Sequence, residues 1–344
     1  MELITQTVAA VALARCGFKR VTPLAVPIII TAGLAPDIDW ISAFGGARAF
    51  LADHRTATHS VVGIVALAAV IAAAFIPIGK RLKKTVRFGP AFLAALAGGS
   101  LHVLLDLTNS YGVKLLWPFS VRWFAWDLTA PLDPWILFLL LAGLLVPALF
   151  RMITEEIGAK ARRAAVDRGA VAALLLVAAF CCVRLVLQQR ATALLEARVY
   201  RGEAPNEVAA FPQSVSPLFW NGVVDTDDTM DEIEVSLAPE AAFDPESSRV
   251  FYKAEASVAL EAARRSDVGI EFLEFARFPL ARVQPVGDGY RIVLRDLRFD
   301  APGHGDRSVV ALIDVDANNN VTAQKMLFTT EGSEDTENGY GDGQ

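Results

Sequence analysis

Apolar residues in this chain of 344 residues form long runs up to about residue 189 and short alternating ones after residue 200. Four runs, 60–79, 90–107, 134–150 and 168–189, lie near the roughly 20 residues an α-helix needs to cross the hydrocarbon core. Two shorter ones, 3–14 and 21–36, are expected to span with local thinning or to lie half-buried as interfacial helices. After residue 200 the period becomes two, the signature of strands. Residues 249–255 alternate. Residues 282–286 and 290–294 flank Gly287-Asp288-Gly289, and 311–315 and 321–327 flank Asn318-Asn319-Asn320, so two hairpins are expected. The pattern predicts an α-helical membrane bundle of about four to six helices over 1–195. A β-rich soluble domain follows over 196–330, and an acidic tail over 331–344 has the composition of a disordered segment.

Composition supports a membrane protein: 53% of residues are hydrophobic and the mean hydropathy is +0.39. Residues 1–199 hold 20 Lys and Arg against 11 Asp and Glu, a net +9, whereas residues 200–344 hold 12 against 27, a net −15. The basic residues sit between apolar runs, which fits membrane topology and leaves no case for nucleic acid. The clusters Arg15/Lys19/Arg20, 80–87 and 151–168 all face the cytoplasm if every run spans. Residues 37–59, 108–133 and everything after about 190 are then extracytoplasmic. No cleavable signal peptide is expected at the start Met1-Glu2-Leu3. Cys16, Cys181 and Cys182 offer neither a disulfide framework nor a thiolate metal motif. Trp117, Trp123, Trp126 and Trp135, four of the six tryptophans, mark 108–133 and its edge as an interfacial belt or a substrate wall.

Of four histidines, three lie in the apolar half beside acids. The segments are Pro36-Asp37-Ile38-Asp39, Asp53-His54-Arg55-Thr56-Ala57-Thr58-His59-Ser60 and His102-Val103-Leu104-Leu105-Asp106. Imidazole and carboxylate are the ligands of zinc, manganese and iron sites. Four residues apart on a helix, His102 and Asp106 share a face. Asp37 and Asp39 can project together from turn or extended backbone, and His54 and His59 can converge at a loop-to-helix junction. Asp53 is placed to cap the helix that follows. Arg55 can hold an anionic oxygen such as a phosphate or solvate the interface. The plain alternative is a set of solvated loop residues and satisfied His–Asp pairs. Asp314, Asp316, Asn318 and Asn320 hint at a calcium loop but lack its glycine and terminal Glu.

These segments, with Tyr111-Gly112 and Leu116-Trp117-Pro118-Phe119, resemble the bacterial membrane-bound metal-dependent hydrolases, a family known mainly by a domain of unknown function. The resemblance covers about residues 1–150, and Ser216-Pro217-Leu218-Phe219-Trp220, Phe278-Pro279 and Asp296-Leu297-Arg298-Phe299 look like an extra domain some members carry. It implies hydrolysis and supplies no substrate. Members often carry Thr-His near the N-terminus where this chain has Thr5-Gln6, which implies a weakened or lost ligand there.

The expected function is a metal-dependent hydrolase of the bacterial inner membrane with its site at the extracytoplasmic face. Asp37, Asp39, His54, His59, His102 and Asp106 hold the ion, zinc first with manganese or iron as alternatives. A carboxylate off the metal would serve as base, and Arg55 would contact an amphiphilic ester or phosphoester. A transporter or proton relay, and a non-enzymatic envelope protein with a structural metal, are the rivals.

Overall fold

The computed structural model describes residues 2–156, 166–239, 243–300 and 308–329. The expected tail 331–344 and Lys160, Arg162 and Arg163 lie outside them. The chain forms two compact units. One comprises residues 1–40, 54–189 and 214–217, the other 41–53, 190–213 and 218–344.

The first unit is helical. Helix α1 (Leu3–Arg15) starts at Glu2, whose carboxylate accepts from Thr5 N at 3.0 Å. Helix α2 (Ala25–Leu34) passes at Pro36 into a 3-10 helix, Pro36–Gly45, that carries Asp37 and Asp39. Pro suits this start because its fixed φ is helical and its missing N–H is not needed there. In the second unit, α3 covers Ala47–Asp53. Helix α4 (Val61–Arg81) is capped by Ser60, whose Oγ accepts from Gly63 N at 3.0 Å. The cap expected from Asp53 is thus made by Ser60, because Asp53 closes α3 and a turn separates the two helices. Helix α5 spans Phe88–Leu107, α6 Pro134–Glu156 and α7 Arg168–Glu196. Asp133 caps α6 through Trp135 N at 3.0 Å and Ile136 N at 3.2 Å.

Among the described residues four helical stretches are long and apolar enough to cross a membrane: Ala25–Gly45, Val61–Arg81, Phe88–Leu107 and Arg168–Glu196. The sequence pattern ranked two segments the other way round. The run at 21–36 gains length because the 3-10 helix continues through the acidic pair. The apolar part of α6, Pro134–Phe150, belongs with α1 to the shorter class.

Small residues let the helices close up. A Cβ built on Gly98 would lie 2.6 Å from the Ile29 carbonyl oxygen, so α5 and α2 approach backbone to backbone. Ala94, Ala95, Ala32, Ile28 and Ile29 are buried in this seam. Beyond α5, Val113 and Phe124 exchange two 2.9 Å backbone hydrogen bonds, and Leu128 N donates to Thr108 O at 2.7 Å. Arg184, which interrupts the apolar run of α7, donates from Nε to Leu128 O at 2.7 Å.

The second unit holds two antiparallel four-stranded sheets. The first runs β1 (Glu207–Pro212), β2 (Phe219–Asp225), β3 (Thr229–Ser236), β4 (Arg249–Tyr252) in that order. Helices α8 (Val258–Arg264) and α9 (Asp267–Phe275) follow, each capped by a serine, Ser257 and Ser266. The second sheet runs β5 (Pro279–Val286), β6 (Gly289–Asp296), β7 (Ser308–Val315), β8 (Val321–Thr329). Both predicted hairpins form: Val286 faces Gly289 around Gly287 at φ 61°, and Val315 faces Val321 around Asn319 at φ 62°. In the latter turn Asp316 Oδ1 accepts from Asn318 N at 2.9 Å and Asn320 N at 2.8 Å. Asp314 receives two hydrogen bonds from Arg291. These carboxylates therefore build a turn and an ion pair. Phe211, Val223 and Met230 of the first sheet bury against Phe278, Leu280 and Leu297.

Helix α3 belongs to this unit. Its Phe50 ring meets Phe328 of β8 edge-on at 5.4 Å, and Arg48 grips Glu271 of α9 through two hydrogen bonds of 2.8 and 2.6 Å.

Candidate metal centre

Two helix ends and a loop meet in the first unit. His102 and Asp106 face inward from the last turns of α5, His59 sits just before the Ser60 cap of α4, and Asp37 opens the 3-10 helix. One donor atom from each of these four lies within 4.8 Å of every other. His59 Nε2 is 3.1 Å from His102 Nε2, 3.3 Å from Asp106 Oδ2 and 3.8 Å from Asp37 Oδ1. His102 Nε2 is 3.5 Å from Asp37 Oδ1 and 3.6 Å from Asp106 Oδ2. Four donors bound at about 2.0–2.2 Å to one tetrahedral ion stand roughly 3.3–3.6 Å apart, so the spacing suits a small first-row cation.

The surrounding hydrogen bonds fix which atoms face the centre. His102 Nδ1 lies 2.6 Å from the Gly33 carbonyl, an acceptor only, so Nδ1 carries the proton. His59 Nδ1 lies 3.1 Å from Asp39 Oδ2, another acceptor. In the neutral rings both Nε2 atoms therefore present lone pairs to each other at 3.1 Å. A shared proton or a metal ion between them relieves that opposition. Four donors converge here, a group that could hold a metal ion. Burial works against charge on His59, but the Asp106 and Asp39 carboxylates more than offset it and raise its pKa above the ordinary value.

Asp39 and His54 lie one ring further out. Asp39 accepts from His54 Nδ1 at 2.9 Å, Arg55 N at 2.8 Å, Thr58 Oγ1 at 2.9 Å and His59 Nδ1 at 3.1 Å. It is an orienting carboxylate of the kind that fixes a ligand's tautomer. Burial holds the His54 imidazole down to about 4 despite its bond to Asp39, so it is neutral at pH 7. Six candidate ligands thus divide into four that converge and two that support them. Replacing Asp39 by Asn is expected to weaken metal affinity about 10–100-fold, because the amide cannot accept from all four donors. Equilibrium dialysis against a metal buffer reads this, and unchanged affinity would contradict the assignment.

Arg55 stands beside the four. Its Nε is 3.2 Å from Asp106 Oδ2, its Nη1 donates to Asn109 Oδ1 at 2.9 Å, and its guanidinium lies 5.1 Å from the Tyr111 ring centre. It adopts φ 57°, unusual for a side-chain-bearing residue, held by Asp39 at its N–H and by Lys114 N, 2.9 Å from its carbonyl. Asn109 also caps Tyr111 N at 3.0 Å.

Two supporting residues were not legible as such. Gln6 of α1 is buried and donates from Nε2 to Asp106 Oδ1 at 3.1 Å and His102 O at 3.3 Å, leaving Asp106 Oδ2 for the centre. The residue at the departing Thr5-Gln6 position therefore touches the site as an amide donor. Gly33 contributes only its carbonyl, which no side-chain pattern reveals. The side chain of Asp37 keeps 16% exposure while His59, His102 and Asp106 keep 0–1%, so the centre opens on the Asp37 side.

Residues 1–191 match the family described as YdjM inner membrane protein. The protein YfhP of Bacillus subtilis (strain 168) is 32% identical over 126 residues, which are 36% of this chain and 36% of that relative. This chain thus spans little more than a third of that relative's length. No solved structure matches.

Proposed function

Because the chain belongs to the YdjM inner membrane protein family and brings two imidazoles and two carboxylates to one point, we propose that it is a membrane-bound metal-dependent hydrolase. Its substrate is an amphiphilic ester or phosphoester. The observation that carries this is the pair of Nε2 atoms at 3.1 Å, both turned inward by partners at Nδ1. Asp37, His59, His102 and Asp106 would hold the ion; zinc suits this donor set, as do manganese and iron. A divalent ion there would polarise a coordinated water toward neutral pKa and offset charge on an ester oxygen. Asp39 keeps His59 in its ligating tautomer. Arg55 offers a fixed guanidinium to an anionic oxygen. The Asp37 side is where water and substrate arrive. An amphiphile fits because His59 precedes and Asp106 ends membrane-length helices, α4 and α5.

Detergent-purified protein, loaded with zinc or manganese, should hydrolyse members of a panel of acyl and phosphate esters, with His59→Ala reducing the rate more than about 100-fold. Metal-loaded wild type inactive across the panel, or full activity in His59→Ala, overturns the reading. The same proposal puts the site on the extracytoplasmic face, since Lys80, Arg81, Lys83 and Lys84 mark the opposite end of α4 as cytoplasmic. In intact cells a membrane-impermeant thiol reagent should label a cysteine introduced at Ser247 and spare one at Lys83. The reverse pattern inverts the topology.

A further inference from the structure

The stretch after α5 contains two cations and no acid between Asp106 and Asp127. Lys114 Nζ stands 5.0 Å from the Trp123 ring centre, and the Arg122 guanidinium 5.4 Å from that of Phe124. Among the described residues neither cation is paired with a carboxylate. Between and beside them the exposed side chains are apolar: Leu116, Trp117, Phe119, Val121 and Trp126, with Phe119 86% exposed. The Val113–Phe124 pairing closes this loop on itself, and the Lys114 N to Arg55 O bond ties it to the candidate metal centre.

An exposed apolar loop that follows a membrane-length helix sits in the membrane–water interface, where tryptophan is favoured. Cations at that depth meet the phosphate layer of the lipids. Here each is propped on an aromatic face, which favours a defined position for the charge. We propose that residues 111–126 bind the headgroup phosphates of anionic membrane lipids, with Lys114 and Arg122 as the contacts. The inference requires neither a bound metal nor hydrolysis, so it stands or falls apart from the proposed reaction.

The test uses the full-length protein in a neutral detergent and a phosphatidylglycerol probe with a photoreactive headgroup, cross-links being mapped by mass spectrometry. Labelling within 111–126 is expected, displaced by phosphatidylglycerol and not by phosphatidylcholine. Lys114→Gln and Arg122→Gln should each weaken displacement by phosphatidylglycerol about fivefold, the effect of one cation near an anionic surface. Lys83→Gln/Lys84→Gln should leave this labelling unchanged. Melting temperature and metal content report whether the variants fold, and the wild-type competition decides the matter without them. Equal displacement by phosphatidylcholine, labelling only elsewhere, or a preference that survives the double loss of Lys114 and Arg122 overturns the proposal. Displacement by inorganic phosphate as strong as by phosphatidylglycerol also overturns it, since the site would then take a free anion.

Discussion

His102→Ala is expected to reduce bound divalent metal from about one ion per chain to a trace, with affinity falling more than the roughly 10–100-fold typical of losing a supporting residue. His102 supplies Nε2 to the four-donor group, and its Nδ1 bond to Gly33 O locks that nitrogen inward. Without it, His59 Nε2 keeps only carboxylate neighbours in the group, and three donors remain where four converged. Metal per protein after detergent purification, compared with Asp314→Asn, is the measurement. Asp314 bonds Arg291 in the second unit, so its loss should not alter occupancy. Equal metal in both variants, at equal melting temperature, would remove His102 from the ligand set. An absence of metal in metal-supplemented wild type would leave the histidine pair to a bridging proton.

The second large effect is on stability. Asp296→Ala should destabilise the second unit by about 3–5 kcal/mol, the usual cost of breaking a buried ion pair from one side. Asp296 and Arg298 side chains are each 1% exposed and meet at 2.7 Å. Asp296 also accepts from the backbone N–H groups of Arg277 at 3.0 Å, Phe278 at 3.3 Å and Arg298 at 3.1 Å, so one carboxylate organises the turn after β6. The guanidinium lies 4.8 and 4.9 Å from the Phe275 and Phe299 ring centres and donates to Phe275 O at 2.8 Å. Removing the carboxylate leaves a charge in an apolar cage. A fall in melting temperature of roughly 6–20 °C follows from the size of the unit. Glu261→Ala, which breaks an exposed pair with Arg264, should stay within about 0.5 kcal/mol. Similar melting curves for the two variants would contradict this account.

The sequence made the spans visible because hydrocarbon imposes length and polarity on each helix separately. The hairpins were visible because Gly287 and Asn319 supply backbone freedom at the turn itself. The converging side chains were legible by type, since His and Asp are rare in apolar surroundings. Which four of them converge was not. Asp37 and Asp39 are alike in sequence, and only the turn of the 3-10 helix sends one to the centre and the other to His59 Nδ1. Gln6 supports Asp106 from 100 residues away, a relation that belongs to tertiary packing alone. The length of the second apolar run was misjudged for a local reason: acids read as a stop, yet here they continue a helix whose polar face has partners.

The packing of α3 against β8 and α9 constrains how the chain is threaded. Helix α3 and the sheets share one folded unit, so both are expected on the same side of the bilayer. The number of crossings between residues 53 and 190 must then be even. Helices α4, α5 and α7 account for three by length and composition. If all three cross, parity requires α6 to cross as well. Its apolar stretch Pro134–Phe150 is in the shorter class, at the lower end of the roughly 17–25 residues found in spans, and reaches across a hydrocarbon layer thinned by a few ångströms.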